Sequence, residues 1–172
     1  MGARTAGVGL RGKGAGVGAR LCGEPEVEPP AKLRISAGER KRLGQELIWA
    51  AEQGETRKVR RLLKEGADPD SKDRDEWTVL MFACWRGSVA MARSLIEAKA
   101  DVNARSRDGG TALMQAFFSS DEDKVFRLVR MLIDAGADVN AKDNDGWSAL
   151  KLARELKLKK TEAILKAAGA KE

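Results

Sequence analysis

The stretch "ADPDSKDRDEWTVLM" that begins at Ala67 is written again as "ADVNARSRDGGTALM" from Ala100 and as "ADVNAKDNDGWSALK" from Ala137. The copies stand 33 and then 37 residues apart. A fixed period of this size is the mark of one supersecondary unit stacked on copies of itself. A unit so short cannot bury its apolar face alone, so the repetition itself is the condition for a core.

The interior of the unit follows from its leucines. Leu47, Leu80, Leu113 and Leu150 hold one place, each followed three residues later by Ala50, Ala83, Ala116 or Ala153. That spacing puts Leu and Ala on one face of a short helix, and the small Ala lets another helix approach. A second apolar pair follows in each unit: Leu62 and Leu63, Leu95 and Ile96, Leu132 and Ile133, then Leu165 beside Lys166. The pattern predicts two antiparallel helices per unit, joined near Gly54 or Gly87. Gly66, Gly136 and Gly169 end the second helix where a left-handed residue is wanted, and Lys99 stands at that position in the second unit, at a cost of about 1 kcal/mol if its φ is positive. An extended loop then turns at "DGG" or "DGW". Upstream, Ser36 with Glu39 three residues on fits a capping box and starts the first helix, with Leu43, Leu47, Ala50 and Ala51 on one face.

This helix-turn-helix-hairpin unit resembles the ankyrin repeat from Ser36 to the C-terminus, most closely in "GADVNAKDNDGWSALKLA". The resemblance implies an all-α fold, an ankyrin-repeat solenoid with β-hairpin-like loops. It sets a repeat domain over residues 36–172, with repeats at about 36–72, 73–105, 106–142 and 143–172, behind a Gly/Arg/Pro-rich extension over residues 1–35. The family's Thr-Pro-Leu-His motif is reduced to "TVLM", "TALM" and "SALK", so apolar packing by Ile48, Met81 and Met114 should replace the histidine's hydrogen bonds. The outer repeats read as caps, the first exposing Glu46, Arg57, Lys58, Arg60 and Arg61. Lys157 replaces the mid-repeat glycine of the last, which suggests a register shift in its second helix. Four extra residues in the third repeat fall near "FFSSDEDKVF", where Ser119 or Ser120 is expected to cap a lengthened helix.

What the resemblance implies about function is binding of a protein partner by hairpin tips and the surface of the first helices. The matching positions here are Arg74, Asp75 and Trp77; Arg107 and Asp108; Asn144, Asp145 and Trp147; and, on the helices, Trp85, Arg86 and Phe118. Exposed Trp and Arg dominate binding hot spots, so Trp77, Trp85 and Phe118 are read as an aromatic patch with Arg74, Arg86 and Arg107 around it. Trp77 and Trp147 stand where a ring can instead pack on the next repeat, and Trp49 is assigned to the core.

Composition limits the alternatives. Of the net charge of +6, residues 1–43 hold +5 and the rest +1, so the repeat body carries no obvious one-signed face for nucleic acid. Eight of the first 23 residues are Gly and none is acidic, which reads as a flexible tail, an organellar transit segment or translation from an upstream start. Arg4, Arg11, Lys13 and Arg20 in that head support an alternative function, weak association with nucleic acid or an anionic surface. Without histidine or tyrosine, the chain lacks Ser-His-Asp and Cys-His devices and histidine metal ligands, and it has no phosphate-binding loop. No catalytic residue, cofactor or metal is expected. Cys22 and Cys84 form neither a disulfide framework nor a metal knuckle, and Cys84 reads as a small core residue. The expectation is a monomeric, non-catalytic interaction module of the cytoplasm or nucleus, with a protein partner and no membrane span.

Overall fold

The computed structural model describes residues 36–171. Cys22 and the three readings of the Gly/Arg-rich extension lie outside the described residues. Eight α-helices follow in pairs: α1 (Ala37–Glu52) with α2 (Thr56–Lys64), α3 (Val79–Trp85) with α4 (Val89–Glu97), α5 (Ala112–Gln115) with α6 (Glu122–Asp134), and α7 (Ala149–Glu155) with α8 (Lys159–Ala167). A 3₁₀ turn, Ala116–Phe118, completes the first helix of the third pair. First helices pack on first helices and second helices on second helices, giving two layers. The repeated Leu and Ala positions explain this. Leu47, Leu80, Leu113 and Leu150 and their Ala partners at 50, 83, 116 and 153 are all buried to 2% exposure or less. Met81 and Met114 are buried, as the altered motif suggested, while Ile48 is only half-buried against the core.

Between pairs the chain forms extended loops closed by single antiparallel bridges, Lys72 to Thr78, Arg105 to Thr111 and Lys142 to Ser148. An Asp of the repeated line builds the first and third loops from within, and Ser106 takes its place in the second. One Asp73 carboxylate oxygen accepts the amides of Asp75 at 2.9 Å and Trp77 at 2.8 Å, and Asp143 does the same for Asp145 and Trp147. A second set of side chains ties repeat to repeat. Asp70 accepts the Asp101 amide, Asn103 the Asp138 amide and Asn140 the Lys171 amide, each at 2.7 Å. Asn103 and Asn140 also donate to the carbonyls of Gly136 and Gly169. These straps supply inter-repeat hydrogen bonds without a histidine.

The lengthened second helix of the third repeat is observed as expected, and several other expectations need correction. The four extra residues of the third repeat extend α6 to 13 residues, against nine in α2, α4 and α8, and leave the length of the first helix unchanged. Four residues are close to one helical turn, so the apolar face keeps its direction. The cap of α6 is neither Ser119 nor Ser120. Asp121 accepts the amides of Asp123 and Lys124, and the Lys124 amide above all holds its carboxyl below the usual aspartate value. Lys157 causes no register shift, because it adopts the left-handed φ of +57° that Gly54 and Gly87 adopt, and α8 starts in the same register. Trp49 is not core. It is 48% exposed with the Lys58 ammonium 4.5 Å above its ring. Phe82 holds the matching place in the second repeat, where Trp77 of the preceding hairpin packs on it; no hairpin precedes α1 among the described residues.

The near-neutral body also proves to be two-faced. The three hairpin segments, residues 67–78, 100–111 and 137–148, carry ten acidic and five basic side chains, whereas the four second helices carry twelve basic and five acidic ones. Lys58 in the first cap contributes to this. Lys58 and Thr161 occupy the helix position that Met91 and Leu128 fill with buried apolar side chains in the inner repeats.

Three non-glycine residues sit at positive φ: Glu76 at +62°, Lys99 at +66° and Lys157 at +57°. The other repeats place Gly at the corresponding positions, Gly109 and Gly146 for the first and Gly66, Gly136 and Gly169 for the second. A left-handed L-residue costs about 1–2 kcal/mol, and glycine returns about half of that as unfolded-state entropy. Glu76→Gly, Lys99→Gly and Lys157→Gly should therefore each stabilise the fold by about 0.5–1 kcal/mol in urea unfolding. Unchanged or lowered midpoints would contradict the strain assignment.

Candidate functional site

The hairpins and the first helices share one groove of about 530 Å³ across the second, third and fourth repeats. Its walls come from Trp77, Trp85, Met114, Phe118, Trp147 and Leu152, with Gln115, Ser106 and Gly110 between them. Two of the rings face solvent in spite of their size: Trp85 is 42% exposed and Phe118 63%. They hold the same place in successive repeats, at the ends of α3 and of the 3₁₀ turn, so stacking of the repeats aligns them. Trp77 is half-buried against Phe82, with ring centroids 5.2 Å apart, and Trp147 carries the Lys151 ammonium at 4.0 Å.

The hairpin tips behind the groove are tied together. The Arg107 amide donates to the Asp75 carbonyl at 3.0 Å, and the Asn144 amide to the Asp108 carbonyl at 2.9 Å. Arg107 also reaches the Asp75 carboxylate at 3.1 Å and the Arg74 carbonyl at 2.6 Å, and the Asn144 side chain donates to the Arg107 carbonyl. Arg86 stacks on Trp85 at 5.5 Å while donating to the Glu52 carbonyl. Arg105 donates to the Lys142 carbonyl.

A family model described as ankyrin repeats matches residues 47–143 in three copies. The chain belongs to the ankyrin-repeat family. Comparison with curated proteins gives no match. Ankyrin repeats are in general protein–protein interaction modules, and the family is typically non-catalytic. In this ankyrin-repeat chain, no helix among the described residues is long and apolar enough to cross a membrane.

Of the candidate residues, the groove gathers Trp77, Trp85, Phe118, Asp108, Asp145 and Trp147. It does not gather Arg74, Arg86 and Arg107, so the rim has the opposite charge to the expected ring of arginines; its charged side chains are Asp108, Asp143 and Asp145. Arg86 and Arg107 are drawn away by carbonyls and by Asp75 on neighbouring repeats, contacts that no reading of a single repeat contains, while Arg74 contributes its backbone carbonyl as an acceptor for Arg107. Asp75 and Asn144 serve the inter-hairpin ladder. Sequence reasoning passed over Ser106, Gln115, Leu152 and Asp143 and assigned Met114 to apolar packing alone. Gln115 and Leu152 were recoverable, since each stands three residues before a position in the series Trp85, Phe118 and Glu155 and so shares its helix face.

Proposed function

We propose that this protein is a non-catalytic adaptor, inhibitor or targeting subunit that binds a protein partner in the groove between its hairpins and first helices. The observation that carries this reading is the pair of exposed rings, Trp85 and Phe118, aligned in one groove with Trp77 and Trp147. An exposed aromatic costs solvation in the free protein and offers large area at low entropic cost to a partner. The hairpin ladder supports it further, because a surface ordered before association loses less entropy on binding. The reading includes a monomer that needs no cofactor, located in the reducing cytoplasm or nucleus, in keeping with the buried free thiol of Cys84.

Trp85→Ala/Phe118→Ala tests it. Both side chains are largely outside the core, so the melting temperature should shift by only a few degrees, while affinity for the captured partner should fall at least about thirtyfold, as loss of hot-spot residues does. The readout is tagged capture with quantitative mass spectrometry, followed by calorimetry on the recovered protein. Undiminished capture would sink the groove as the binding site. Trp77→Ala is a poorer probe, because its ring also packs on Phe82.

A further inference from the structure

Resting on that reading, we propose that the groove is a receptor for a positively charged side chain, an arginine carried on an extended segment of the partner protein. The charges on its rim are all carboxylates, Asp108 on one hairpin and Asp143 and Asp145 on the next. One Asp143 oxygen is used by the amides of Asp145 and Trp147, and among the described residues none of the three carboxylates has a cation paired to it. Four nearby cations are engaged elsewhere: Arg107 on Asp75 and the Arg74 carbonyl, Arg86 on the Glu52 carbonyl, Arg105 on the Lys142 carbonyl, and Lys151 on the Trp147 ring; the side chains of Arg74 and Lys142 pair with none of the three carboxylates. Uncompensated carboxylates beside aromatic walls create a site of negative potential with low-dielectric sides, which draws a cation.

The molecule already makes the same kind of pair within itself. Trp49, Trp85 and Trp147 each carry a cation over the ring, from Lys58, Arg86 and Lys151. Trp77 and Phe118, in the same groove as the three carboxylates, carry none among the described residues. Arginine fits these surfaces better than lysine, because its planar guanidinium stacks on a ring while its fork of donors meets carboxylates side by side. The hydrogen bond from the Asn144 amide to the Asp108 carbonyl joins the two acidic hairpins, so the carboxylates are positioned before the partner arrives. The net acidity of the hairpin segments extends the attraction beyond the groove and steers a basic segment toward it.

The test uses the full chain and three small probes, N-acetyl-arginine amide, N-acetyl-lysine amide and the uncharged N-acetyl-citrulline amide. Each is titrated in excess while the indole N–H and backbone amide resonances are followed by NMR. The arginine probe should shift the Trp77 and Trp85 indoles and the Gly110 amide, the lysine probe less, and citrulline least. Asp108→Asn/Asp145→Asn changes two carboxylates that make no side-chain hydrogen bond among the described residues, so the spectrum should stay folded while arginine affinity drops about fivefold to tenfold. Equal shifts from citrulline, equal affinity of the double variant, shifts confined to other surfaces, or no shift at all would each overturn the proposal. Partner capture separates this failure from failure of the interaction reading. Capture lost with Trp85→Ala/Phe118→Ala and retained with Asp108→Asn/Asp145→Asn overturns the arginine receptor and keeps the module, whereas capture retained with both overturns the two together.

Discussion

Leu80→Ala will remove about 2–5 kcal/mol of stability, as truncation of a fully buried leucine does. Leu80 is fully buried on α3, and α3 contacts α1 on one side, α5 on the other and its own partner α4. The cavity therefore opens where two inter-repeat interfaces and one intra-repeat interface meet. A stack holds together by nearest-neighbour terms, so weakening the second repeat weakens its coupling to both flanking repeats. Urea unfolding followed by circular dichroism should show the midpoint fall, with Leu156→Ala, half-exposed after α7, as a control that moves it by no more than about 0.5 kcal/mol. A loss at Leu80 below about 1 kcal/mol would mean that the repeats are far less coupled than their packing implies.

The second large effect concerns Cys84. Burial pushes its thiol up to about 12 from an ordinary 9.0, because an ionised sulfur would lose its hydration without gaining a partner. Three pH units correspond to about a thousandfold less thiolate at pH 8, and thiolate is the reactive form. In a Cys22→Ser chain, Cys84 should therefore resist Ellman's reagent when folded and react at once in denaturant. Reaction at the rate of a free thiol in the folded chain would contradict its burial. The sign of the pH dependence follows. The native pKa lies above the unfolded one, so the stabilisation is complete below pH 9, where both states hold the proton, and is lost as pH rises toward 12. Cys84→Ala should flatten this alkaline decline relative to the parent chain, since Ala51 fills the matching buried place in the first repeat.

The repeat frame was fully legible. The leucine and alanine series, the glycine stops and the "DG" turns each follow from steric rules that act within a few residues, and Lys99 at a positive φ is one such rule met at a cost. The same reasoning failed where a position depends on a neighbour. Trp49 satisfies the local pattern of a core residue, yet it is half-exposed because no described hairpin lies over it. Asp121 displaced Ser119 and Ser120 as the cap once the inserted residues were added to α6 as an N-terminal turn. Asn103 and Asn140 were visible as parts of a repeated line, while their straps to Gly136 and Gly169 require two repeats in register.

The candidate site divides the same way. Its rings could be named in advance because large aromatics at exposed repeat positions are conspicuous in a sequence. Its charge could be named only in part, through Asp108 and Asp145, because side-chain cations are long and choose among carbonyls and carboxylates on adjoining repeats. Sequence alone determined the period, the helix pairs and the identity of the rings, all consequences of local sterics and apolar periodicity. Only the stacked structure decided that Arg74, Arg86 and Arg107 do not line the groove and that Asp143 joins Asp108 and Asp145 there, since electrostatic partners are set by distances in space between residues about 30 or more apart in the chain.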